Sequence, residues 1–250
     1  MFWVGELPTQ NNPVPNTRSS WDSRWLLNFG GYDNPDPDRR TAGFLPAGFL
    51  PRQNPFYVAL PYNDVTSKRT KDEAARVIPW FKEAFVQDGK SVCHNRWIAI
   101  HYRGRVCFAQ WSDCGPFTTC DAPYVFGSSR PSNKRNAGAG LDISPAVRDF
   151  LGFASGEKCD WRFVDVLEVA EGPWKQFGAN NPFAPRQMPD TKPVFAAEFK
   201  VSTERPVGRK AKESDKIPTS GIRPPSGGGV PGRARLEELR AARERWFGGK

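Results

Sequence analysis

The chain has 250 residues, 38% hydrophobic and 25% charged, with 24 Pro, 23 Gly and a formal charge of +9. That length allows one generous domain with tails or two small ones. The low hydrophobic share and the abundance of Pro and Gly point to a folded core flanked by poorly ordered segments. No apolar stretch approaches the ~20 residues of a bilayer span, so no transmembrane segment is expected.

The charge is unevenly placed. Residues 200–250 hold 13 Lys and Arg against 6 Asp and Glu, while residues 1–199 hold 23 against 21. A basic extension on a nearly neutral core gives little ground for specific nucleic-acid binding. With only two histidines, His94 and His101, both in a segment that reads as strand, a His-based catalytic or zinc site has little to draw on. No metal or cofactor is expected.

Cysteines fall at 93, 107, 114, 120 and 159 without a CxxC pair, which leaves a zinc ribbon or thioredoxin-type site unsupported. They could pair as disulfides in an oxidising compartment, with one left over, or remain buried thiols. The amino terminus shows no basic region followed by a long apolar run, so no secretory signal is read there.

In chain order, residues 1–28 read as an irregular lead-in ending in Trp21, Trp25, Leu26 and Leu27, whose aromatic residues are expected to pack onto the core. Turn signals fill 29–55 and give way to a strand over FYVAL, residues 56–60. Residues 71–85 predict a helix with an acidic start, kinked or interrupted at Pro79. Strands over 97–102 and 105–112, joined by Arg103-Gly104, predict a tight β-hairpin.

Residues 115–138 read as loop. A short strand through Asp142 then leads to a helix over 145–151, with Ser144 as cap, Pro145 at the first helical position and Gly152 as the stop. A last strand spans roughly 161–169. Residues 183–233 form a Pro/Gly-rich linker, and the basic tail 234–250 holds a short amphipathic helix at most.

Two segments carry a family resemblance. WSDCGPF at 111–117 resembles the Asp-x-Gly-Pro-Phe turn of the rare lipoprotein A barrels, and GLDISPAVRDFLG at 140–152 resembles their Ile-Asp-Leu-Ser strand-to-helix segment. TAG at 41–43 and YVALPYND at 57–64 are weaker matches to the opening elements. The order is similar to that of the double-psi β-barrel family that also holds the expansins and barwin. The resemblance implies a mainly β fold, a six-stranded double-psi β-barrel with short helices, over residues 29–182, followed by a disordered tail.

It also implies a groove that binds a cell-wall polysaccharide such as peptidoglycan, and a location outside the cytoplasm. If a bond is cut, the activity is that of a lytic transglycosylase or a glycoside hydrolase. Asp142 matches the family's acid, and Asp113 would support it from the turn. As plain residues, both could instead be turn-formers accepting backbone N–H groups.

Asp64, at the end of the first strand, and Tyr62 and Trp111, as flat rings for sugar stacking, complete the candidate substrate-binding set. Asp33, in a run with Asp36 and Asp38, reads as a solvated loop residue. The family's His after Ala-Ala has no counterpart at Ala59-Leu60-Pro61, and Phe44 stands where its Glu would follow Gly43. These departures motivate the alternative of a non-catalytic, expansin-like wall-binding module.

Overall fold

The computed structural model describes residues 1–9, 13–41 and 44–185. The basic tail, its helix and nearly all of the expected linker lie outside the described residues. The strands are β1 (Tyr57–Leu60), β2 (Val65–Thr66), β3 (Arg69–Thr70), β4 (Trp97–Tyr102), β5 (Arg105–Cys114), β6 (Asp142–Ile143) and β7 (Asp160–Val164). The helices are all short: α1 (Trp25–Phe29), α2 (Ala74–Val77), α3 (Phe81–Ala84), α4 (Ala122–Val125) and α5 (Pro145–Leu151).

A five-stranded mixed sheet organises the fold, in the order β6-β1-β5-β4-β7, with β2 and β3 forming a separate ribbon. The mainly β expectation holds at that level. Among the described residues the pairing does not close β6 onto β7, and the sheet has five strands where six were expected.

β1 runs parallel to β5 and antiparallel to β6. A parallel neighbour requires a crossover, and the ribbon, α2, α3 and β4 fill it. All four residues of β1 are buried, because hydrophobic layers cover both of its faces. Val58 and Leu60 join the main core, while Tyr57 and Ala59 join a second cluster with Phe2, Val4, Trp25 and Phe29. The lead-in thus forms a layer of the molecule, since its aromatic side chains have this second face to bury.

The hairpin matches its sequence signal. β4 and β5 pair from Trp97↔Gln110 to Tyr102↔Arg105, and Arg103 (φ 47°) and Gly104 (φ 80°) both take the left-handed conformation of a tight two-residue turn. β5 runs on to Cys114, two residues past the expected end. The helix expected over 71–85 is split into α2 and α3 around Pro79, whose ring and missing N–H interrupt the ladder.

α5 begins and ends as expected. The Ser144 hydroxyl accepts the Val147 N–H, and Gly152 closes the helix at φ 68°. The last strand is shorter than expected and stops at Val164. There the Glu168 carboxylate accepts the Asp165 N–H and an Arg162 N–H, turning Val166–Glu168 into a single 3-10 turn. His101 lies in β4, but His94 lies in the turn before it, where Asn95 at φ 66° bends the chain out of extended geometry.

Candidate functional site

Asp113 and Asp142 are brought together by β1. Ala59 is the register partner of Asp113 on one side and of Asp142 on the other. Residues opposite one another on neighbouring strands share a face, and two strand spacings place the two backbones about 10 Å apart. The shared face is that of Ala59, the one covered by the lead-in.

Both carboxylates meet that covering layer. Asp113 Oδ1 accepts the Ser20 N–H at 2.8 Å and the Cys114 N–H at 2.7 Å. Asp142 Oδ1 lies 2.9 Å from the α-amino nitrogen of Met1, with both groups about one-quarter exposed. Burial pushes the Asp113 carboxyl above its ordinary value, and the charge of Asp142 adds to the rise, while the two N–H donors oppose it.

The other three predicted site residues are interior. Asp64 is fully buried, its carboxylate accepting the Ser91 hydroxyl at 2.6 Å and the Val92 N–H at 2.7 Å. It ties the end of β1 to the loop before β4, which corrects its assignment to a groove. Tyr62 and Trp111 have no exposed surface. Tyr62 packs edge-on against Phe126, and Trp111 directs its indole N–H to the Asp113 carbonyl at 2.8 Å. Neither ring offers a free stacking face, so the substrate-contact role is withdrawn for both.

Residues not singled out for this face prove to be part of it. The turn around Ser20 and Trp21 lies directly over Asp113. The Trp21 indole N–H donates to Asn63 Oδ1 at 2.9 Å, and its ring lies 5.4 Å from His94 at a 35° tilt and 5.4 Å, edge-on, from Trp111. Burial lowers the His94 pKa below its ordinary value. The aromatic Trp21 in a polar stretch was the available signal, and it identified packing without identifying the place.

Asp33 also departs from expectation. It is fully buried, paired with Arg40 at 2.6 Å and accepting the Tyr57 hydroxyl at 2.8 Å. The five cysteines are all free thiols, with Cys93 and Cys107 buried, so the disulfide alternative is not realised. Among the described residues no group of three or more His, Cys, Asp or Glu side chains is placed to hold a metal. None of their helices is long and apolar enough to cross a membrane.

Two concavities lie elsewhere. One of about 650 Å³ borders Glu171, Lys175 and Phe183, and one of about 430 Å³ borders Arg40, Phe44, Arg148 and Phe153. Neither touches Asp113 or Asp142. The acid pair is instead engaged by the lead-in, through Ser20 at Asp113 and Met1 at Asp142. Comparison with family models, curated proteins and solved structures gives no match.

Proposed function

We propose that this chain binds a cell-wall polysaccharide on the Ala59 face, within a double-psi β-barrel of the rare lipoprotein A and expansin kind, and that Asp113 and Asp142 are its acid pair. The observation that carries the reading is the placement of the two motif carboxylates on either side of Ala59. The parallel β1–β5 pairing next to the antiparallel β4–β5 hairpin is compatible with such a barrel. Wall glycan lies outside the cytoplasm, and so would the protein.

The chemistry divides according to environment. A carboxyl whose burial favours the protonated form can donate to a glycosidic oxygen, while a neighbouring carboxylate stabilises the cationic sugar. Asp113 is the donor in this reading and Asp142 the charged partner, the reverse of the assignment that the motif alone implies. As the C–O bond breaks, the Asp113 proton goes to the leaving oxygen. A hydroxyl of the same sugar then closes onto the anomeric carbon and returns its proton to Asp113.

A second reading, binding without cleavage, is favoured by the engagement of both acids with the chain's own lead-in. Incubation with purified peptidoglycan separates the two. Soluble sugar products from the wild type, lost in Asp113→Asn and reduced in Asp142→Asn, support cleavage. Co-sedimentation without products supports the wall-binding module. The absence of both soluble products and co-sedimentation would overturn the glycan proposal.

A further inference from the structure

We infer that the notch between Asn63, His94, Trp111 and Asp113 is a sugar subsite whose resident occupant is the chain's own Trp21. The inference rests on the glycan reading of the same face and adds where one sugar ring sits and what must leave first. The occupant reports the chemistry of the place. Trp21 presents a flat face to His94 and an indole N–H to Asn63, and the adjoining Ser20 N–H reaches Asp113.

The notch therefore offers the imidazole face of His94 and two acceptor oxygens, Asn63 Oδ1, which also accepts the Val65 N–H, and Asp113 Oδ1, which also accepts the Cys114 N–H. A pyranose ring matches that set, with a C–H face for the imidazole and hydroxyl or acetamido N–H donors for the acceptors. Indole and sugar compete for one volume and one pair of acceptors, so they cannot be seated together.

The tip that carries Trp21 lies between two anchored flanks, and its Asp22 carboxylate accepts the side-chain amides of Asn28 and Gln53. On one side Asn16 is buried and bonded to Glu6 through backbone and side chain. On the other, Trp25 is buried in the second cluster. Between them Ser19 organises a local turn, its hydroxyl accepting the N–H groups of Trp21 and Asp22 and its own N–H donating to the Asp22 carbonyl. Withdrawing Trp21 exposes the notch without unpacking Phe2, Val4 or Phe29.

The test uses the full chain, peptidoglycan sacculi and the soluble amino-sugar trimer chitotriose. Trp21→Ala is expected to bind the trimer about tenfold more tightly than wild type, as follows if the notch is open about one-tenth of the time in the wild type. Saturating trimer should also remove hydrogen-exchange protection from the wild-type Ser20 amide. Trp21→Phe, which keeps a ring but loses the donor to Asn63, should fall between the two. It carries the comparison if the alanine variant melts early.

Equal or weaker trimer binding by both variants, with wild type still binding sacculi, would overturn the subsite and leave the glycan reading standing. So would a Ser20 amide that stays protected in the saturated complex. If none of the three proteins binds sacculi, the glycan reading fails, and the subsite with it.

Discussion

Arg40 Nη1 stands 2.6 Å from Asp33 Oδ1, and both side chains are closed to solvent. The pair is held on all sides. Arg40 also donates to the carbonyls of Asn34 and Phe44, and its Nε lies 3.1 Å from Asp149. Asp33 takes the Tyr57 hydroxyl, which in turn accepts the Val4 N–H. The network joins the lead-in, β1 and α5.

Removing one partner of a buried pair strands the other charge. Asp33→Ala is expected to cost about 3–5 kcal/mol, read from urea unfolding midpoints. The double variant Asp33→Ala/Arg40→Met should cost less than the sum of the singles, because no uncompensated charge then remains. Additive losses would show that the pair contributes nothing as a pair.

Asp113 links stability to pH. Its folded-state pKa lies above the ordinary 3.8 because of burial. A raised carboxyl contributes stability below its unfolded value that is lost as pH climbs through the folded value. Asp113→Asn should therefore gain on wild type between pH 3.5 and pH 7, measured by denaturant unfolding across that range. A stability difference independent of pH would contradict the burial of this carboxyl.

Ser144 combines three bonds in a fully buried place. Its hydroxyl donates to the Pro55 carbonyl at 2.8 Å and accepts the N–H groups of Tyr57 and Val147, each at 3.3 Å. Ser144→Ala should cost about 1–2 kcal/mol, the loss of a helix cap plus a buried acceptor left unmet. The same denaturant assay checks it, with retention of the β1–β6 pairing as the control.

Trp111 and Tyr62 separate packing from binding. Both are core side chains, so Trp111→Ala and Tyr62→Ala should each lower stability by about 3–5 kcal/mol. Thermal melts run beside the sacculi assay decide the case. Lost binding with an unchanged melt would restore the stacking role withdrawn above.

Thiol reactivity follows exposure. Cys120 is exposed, whereas burial raises the thiols of Cys93, Cys107, Cys114 and Cys159. Iodoacetamide acting on the native protein should label Cys120 first, because the thiolate is the attacking form. Peptide mass mapping after brief exposure gives the order, and early labelling of Cys107 would contradict the packed interior.

Elements whose causes lie within a few residues are legible along the chain. Arg103-Gly104 set the hairpin turn, Pro79 split the helix, and Ser144-Pro145 with Gly152 bounded α5, because turns and caps are closed by bonds three or four residues apart. The two acidic motif residues are legible there as well.

What surrounds those two acids is set by segments far away along the chain. Ser20 meets Asp113 across 93 positions, and Met1 meets Asp142 across 141. Local pattern carries no information about which distant segment covers a sheet face, or which arginine follows an aspartate inside. That is why Asp33 reads as solvated yet is sealed, and Asp64 reads as reachable yet is enclosed. Burial and electrostatic environment belong to the assembled layers, because they depend on what excludes water from a group rather than on its neighbours along the chain.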